Sequence, residues 1–228
     1  SFAAWGRRTN PDDFDSLFDL PESHMFEVTN TTGRWRAENN VNPYFRSSGF
    51  NFPLDEWVHI AGVLSDGQAT LYKNGEFEVT SNAEKIVASD QDLYIGILGS
   101  QMPGNPDAWG GDIDEFKIWN SALTPEQVRS VFTGESNVQR ENLALELKFD
   151  GSSESEYLAD TSGNDNKVIA FGDIEIIQSN SSSEEESGNE PGNDPNDGGK
   201  DDSKMRLFYE LRDSDITPYT ANNYSPFI

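Results

Sequence analysis

Residues 57–80 carry the most regular pattern in the chain. The β-rich run Trp57-Val-His-Ile-Ala-Gly-Val63 is followed by a Ser65-Asp66-Gly67 turn, then Ala69-Thr-Leu-Tyr-Lys73, Asn74-Gly75 and Glu76-Phe-Glu-Val-Thr80. Asn-Gly supplies the positive φ values of a two-residue type I′ turn, so the spacing predicts an antiparallel hairpin closed at Asn74-Gly75. Leu93–Leu98 and Ile113–Trp119 read as two further strands, separated by a Pro/Gly-rich loop over 99–111. Before Trp57, short apolar runs (Phe2–Trp5, Phe14–Leu20, Met25–Val28, Arg34–Arg36) alternate with polar stretches holding Pro11, Pro21 and Pro43, which predicts short strands joined by long loops.

One helix is legible. Thr124-Pro-Glu-Gln127 places a capping hydroxyl, a first-turn proline and a capping-box glutamine in order, and Val128, Val131 and Phe132 follow at helical spacing until Gly134. At Leu143-Ala-Leu-Glu-Leu-Lys-Phe149 the period returns to two, which predicts a strand with Leu143, Leu145, Leu147 and Phe149 on one face and a wet face of Ala144, Glu146 and Lys148. Residues 167–177 are again strand-like. Gln178–Lys204 holds eight acidic residues and two lysines among Ser, Gly, Asn and Pro, with no apolar payload to offset ordering, and is expected to be an acidic flexible linker. Met205–Leu211 resumes a strand-like pattern, so 205–228 is a tail or the start of another module.

Composition narrows the function. With 228 residues the chain suits one sizeable domain with attached pieces, and 14 Phe, 7 Tyr and 5 Trp supply a core. The net charge of −25 opposes a nucleic-acid or anionic-membrane partner. No apolar run approaches the roughly 20 residues of a membrane-spanning helix, so no membrane insertion is expected. The absence of Cys excludes disulfides and thiolate metal sites on this chain. Two histidines are too few for a zinc cluster, and neither H-E-x-x-H nor G-x-S-x-G occurs. Asp112, Asp114 and Glu115 do not form a convincing acid/base pair on a regular strand, so no catalytic residues are assigned.

The set Trp57–Val63, Asp66-Gly67, Leu71-Tyr-Lys-Asn-Gly75, Gly111-Asp-Ile-Asp-Glu115, Ile118-Trp119 and Ala122-Leu-Thr124 resembles the laminin-G-like, concanavalin A-like jelly-roll domains. The resemblance covers most of residues 1–177. It implies an all-β, antiparallel β-sandwich with one short helix, extracellular or on a cell surface, often glycan-binding and often carrying structural calcium. In such domains a strand and loop like Leu145–Asp150 and Asp160–Asn164 usually open the fold, whereas here they follow the helix. Residues 143–177 therefore either complete the first sandwich or begin a second repeat.

Asp114 would share its side of a regular strand with Phe116 and Ile118, and a carboxylate so buried needs backbone donors or a cation such as calcium. Asp160-Thr-Ser-Gly-Asn164 offers alternating oxygens around a glycine, and Asp150 could reach the same ion; a plain Asx-rich turn would need no metal. For sugar contact the candidates are Trp35, Tyr44 and Trp109, each in or near turn-forming sequence, while Trp5, Trp57 and Trp119 are expected to be structural and His59 a surface or packing residue. The expected function is a noncatalytic module that binds a polysaccharide or cell-surface glycan or mediates adhesion. The alternatives are a spacer or protein-interaction domain whose partner engages 205–228, and an accessory domain of a carbohydrate-active enzyme.

Overall fold

The computed structural model describes residues 1–10, 14–21, 23–37, 45–47, 49–83, 91–98, 108–135, 140–151, 153–170, 174–177 and 204–207. The larger sheet contains β1 (Phe2–Arg8), β7 (Val58–Ser65), β8 (Gln68–Lys73), β9 (Glu76–Asn82), β11 (Gly111–Trp119), β12 (Leu143–Leu147), β13 (Ile174–Ile177) and β14 (Lys204–Leu207). Its order is β13-β14-β11-β1-β7-β8-β9, with β12 also on β11. The smaller sheet runs β10 (Tyr94–Ile95), β2 (Phe14–Leu20), β3 (His24–Thr29), β4 (Thr32–Ala37), β5 (Phe45–Arg46), and β6 (Phe50–Asn51) pairs with β4. Every strand pairing is antiparallel.

Side chains from both sheets interleave in one core: Phe2, Val58, Ile60, Leu71, Ile113 and Phe116 from the larger, Leu17, Phe18, Phe26, Val28 and Trp35 from the smaller. The Phe2 ring crosses between them, with centroids 4.7 Å from Phe18 and 5.1 Å from Trp35. Its partner in register is Gly62, where a Cβ would stand 2.1 Å from the Phe2 ring, so only glycine permits this crossing. The two layers form a β-sandwich of the jelly-roll class.

Local signals explain the connections. Asn74 and Gly75 have φ of 50° and 77°, as the hairpin requires. The helix α1 (Pro125–Phe132) starts with the full capping box: Thr124 Oγ1 accepts from Gln127 N, and Gln127 Oε1 accepts from Thr124 N. Burying Val128 completely contributes about 1.5–3 kcal/mol. The sequence predicts one helix, and the structure adds a single turn, α2 (Glu154–Tyr157), which buries Tyr157.

A second, smaller cluster lies beneath α1: Ala3, Ala61, Val63, Tyr72, Trp119, Leu123, Val128 and Leu143. The larger sheet is thus apolar on both faces where the helix docks. For this reason the wet face expected on β12 is not there. All five residues of β12 are buried, Leu143 joining the helix-side cluster and Glu146 lying under Lys117 and Arg140.

Strand β12 pairs with Phe116–Trp119 of β11, and β14 pairs with Gly111–Ile113 along the same strand. Of the stretches read as linker and tail, only Lys204 and Met205–Leu207 fall among the described residues, and the expected partner contact through 205–228 lies otherwise outside them. Among the described residues no helix is long and apolar enough to cross a membrane.

Candidate functional site

The alternation of β1 sends Phe2 and Ala4 into the sandwich core and leaves Ala3 and Trp5 on the helix side; β7 likewise divides into Val58 and Ile60 against His59 and Ala61. Trp5 and His59 are opposite each other in the β1–β7 register, with rings in an edge contact at 5.2 Å. Phe132, the last residue of α1, closes over both, 5.6 Å from Trp5 and 5.5 Å from His59. The hairpin holds this aromatic group in place. Asn74 N donates to His59 O, and His59 N donates to Asn74 Oδ1, while Gly75 leaves room for Phe132, whose Cδ1 would be 2.8 Å from a Cβ there.

β11 carries the polar wall. The β1–β11 register shifts between Trp5↔Asp114 and Ala3↔Lys117, and Glu115 has φ of 50°, so one extra residue bulges from β11. Ile113 and Phe116, three apart, are both in the core. The bulge breaks the two-residue period, so Asp114 does not share its side with Phe116 and Ile118 as expected; it is half-buried and accepts a hydrogen bond from Glu115 N at 2.8 Å. Lys117 bridges Glu115 and Glu146, the latter at 3.9 Å, and Glu146 also accepts from Arg140 at 3.1 Å and from Thr161 Oγ1 at 2.7 Å.

Where the aromatic group and this ionic chain meet lies a cavity of about 350 Å3, lined by Trp5 and Phe132 and by Glu115, Lys117, Glu146 and Lys148. Aromatic surface combined with convergent polar groups in such a volume is the ordinary form of a small-molecule site.

The residues singled out from sequence are distributed differently. Trp35 and Trp109 are 2% and 1% exposed and pack in the core, Trp35 against Phe2 and Trp109 edge-on to Phe52, so neither offers a ring face to a sugar. Turn-like flanking sequence misleads here, because short strands begin beside those turns. Tyr44 lies outside the described residues. His59 is 2% exposed and packs against Trp5 and Phe132, in keeping with the packing role expected of it, and with Trp5 it also borders the cavity; the sequence signal for this is a Trp and a His on the strand faces opposite Phe2, Ala4 and Ile60.

Calcium needs oxygens with free lone pairs. Asp160 Oδ1 accepts from Glu146 N and Ser162 N, and Oδ2 from Ser162 Oγ, Asn166 N and Asn166 Nδ2. Burial would raise this carboxyl, and the hydrogen bonds from Ser162, Asn166 and Glu146 outweigh it, holding it below its ordinary value. Asn164 turns its amide NH2, not its oxygen, toward Leu143 O and Ala144 O. In this arrangement protein donors engage both Asp160 oxygens, and Asn164 acts as a donor to β12. Asp114 and Asp150 both act on Tyr157, whose phenol is pushed up first by burial and then by these two charges. Among the described residues no group of three or more His, Asp or Glu could hold a metal ion.

Residues 1–129 match the family described as the concanavalin A-like lectin/glucanases superfamily. The chain belongs to that superfamily. A candidate carbohydrate-binding protein from Bacteroides ovatus has the same fold, at 20% identity and a TM-score of 0.58, the match covering 71% of this chain and 49% of that one. The chain thus spans about half the length of that relative. Weaker likenesses are the receptor-binding domain of botulinum neurotoxin D (16% identity, TM-score 0.47, 59% of this chain and 36% of that) and the heptameric SAP-like pentraxin of Limulus polyphemus (20%, 0.44, 57% and 69%). No curated protein sequence matches. Fold and family model together place the chain among the β-sandwich domains of the lectin/glucanase class.

Proposed function

We propose that the chain is a glycan-binding or adhesion module working at a cell surface or outside the cell, with a polysaccharide or cell-surface glycan as its partner. The observation that carries this reading is the cavity itself, which is lined both by aromatic rings and by paired charges, the combination that takes the apolar faces and the hydroxyl edges of a sugar together. Membership of a lectin superfamily agrees with it, as does the description of the Bacteroides ovatus protein. The reading does not require calcium, because the cavity wall is held by its own ion pairs and the Asp160 loop by its own hydrogen bonds.

The test is a glycan array probed with the whole chain, with and without a calcium chelator. Retention on a defined subset of glycans, unchanged by chelation, is expected. Retention on none, with a protein recovered instead in a pull-down, would replace this reading by the protein-interaction one.

A further inference from the structure

The chain carries a net charge of −25, yet its cavity is balanced: Glu115, Glu135 and Glu146 stand with Lys117, Arg140 and Lys148. The balance is local and built in. Glu115, Lys117, Glu146 and Arg140 form one unbroken chain of ion pairs along β11, β12 and the loop before β12. It is further tied by Thr161, which donates to Glu146 Oε2, and by Arg140, which donates to Thr161 O.

Such a wall discriminates by charge. A carboxylate or sulfate that paired with Lys117 or Arg140 would compete with Glu146, which is 6% exposed and depends on those cations to offset its burial. An ammonium group faces the converse penalty at Lys117. The field of the rest of the chain also disfavours any anionic polymer. A hydroxyl both donates and accepts, so it can bridge a Lys–Glu pair without separating it. In the same cavity, Trp5 and Phe132 offer apolar surface for the C–H face of a ring.

The strained backbone points to the same place. Glu115 is a non-glycine residue at φ 50°, within a bulge beside Trp5, and it lines the cavity. Conformations of this kind cost of order 1–3 kcal/mol and concentrate where a side chain must be aimed at a ligand.

Resting on the glycan reading above, we infer that this helix-side cavity is the sugar site and that it takes an uncharged sugar ring. Trp5 and Phe132 contact the ring's apolar face, and the Glu115–Lys117–Glu146 chain binds its hydroxyls.

The experiment is calorimetric titration of the whole chain with neutral trisaccharides of glucose, galactose or mannose units, and with matched oligosaccharides bearing uronate or sulfate. Trp5→Ala and the near-isosteric Glu115→Gln are titrated alongside, and their fold is checked by circular dichroism. A neutral trisaccharide is expected to bind. Its Kd should change less than about twofold between low and high salt and rise at least about tenfold in Trp5→Ala and about threefold or more in Glu115→Gln. Preference for the anionic series, or a strongly salt-dependent Kd, would overturn the charge class while leaving the glycan reading standing. Neutral binding unaltered in the folded Glu115→Gln variant would overturn the assignment of the site. Binding to neither series would overturn the glycan reading and this inference with it.

Discussion

Asn74 and His59 are bonded twice: Asn74 N donates to His59 O at 2.8 Å, and the Asn74 side-chain oxygen accepts from His59 N at 2.9 Å. A turn residue chosen for its positive φ therefore also fixes the backbone beneath the aromatic group. Replacing Asn74 by Ala removes one hydrogen bond and places a β-carbon residue less suited to φ 50° at the turn, an expected loss of about 1–2 kcal/mol. Chemical denaturation measures it, and loss of near-ultraviolet tryptophan signal from Trp5 should accompany it.

Gly75→Ala acts on the other side of the same turn. The new methyl would stand 2.8 Å from Phe132 Cδ1 at a backbone φ of 77°, so either the hairpin or the end of α1 must shift. Weaker glycan binding with a modest fall in Tm is expected. A fall in Tm with unaltered binding would separate the hairpin from the site.

Arg8 and Asp15 form an ion pair in which both side chains are wholly buried; Arg8 also donates to Asn30 O, and Asp15 Oδ1 accepts from Gly110 N at 3.0 Å. The pair ties β1, β2, the β3–β4 turn and the start of β11 at one end of the sandwich. Asp15→Ala leaves the guanidinium buried and should cost about 3–5 kcal/mol. Glu76→Ala, which breaks the exposed pair with Arg129, should barely change Tm. Paired thermal melts compare the two.

Much of this architecture is legible from sequence, and for local reasons. The Asn-Gly turn, the Thr124–Gln127 capping box and the β-rich run that becomes β7 each depend on neighbouring residues, and all three form as expected. The site is less legible because it depends on what covers a strand. Trp5 and Trp35 both sit in short strands near arginines, yet one lines a cavity and the other is core, which follows only from the docking of α1 on one face of the larger sheet and of the second sheet on its other face. The Glu115 bulge likewise has no sequence marker, being a non-glycine residue at positive φ, and it alone resets the facing of Asp114.

Burial pushes the His24 imidazole down to about 3, between the rings of Phe18 and Trp35. Its folded value is below its unfolded value of about 6.5, so the unfolded chain binds the extra proton first. This group's contribution is complete above pH 6.5 and is lost as pH falls from about 6.5 toward 3, at up to about 1 kcal/mol per pH unit. Asp160, also held below its ordinary value, adds loss in the same direction at the acid end. Denaturation between pH 7 and 4 should show this slope, and His24→Gln should flatten it.

The Asp160 loop gives a prediction about metal. Asp160→Ala removes the acceptor of five hydrogen bonds, one from Glu146 N of β12 and four from Ser162 and Asn166 within the loop, and should lower Tm by several degrees. The drop is expected to be the same in excess calcium and in chelator, as differential scanning calorimetry would show. A Tm that rises with calcium in the parent chain and not in the variant would assign an ion to that loop.

The most direct test of the central claim is a crystal structure of the chain soaked with the neutral oligosaccharide that binds it best in solution. One sugar ring is expected beside Trp5 and Phe132, with its hydroxyls on Glu115, Lys117 and Glu146. A sugar bound on the smaller sheet or at the Asp160 loop, with the helix-side cavity empty, would contradict the account.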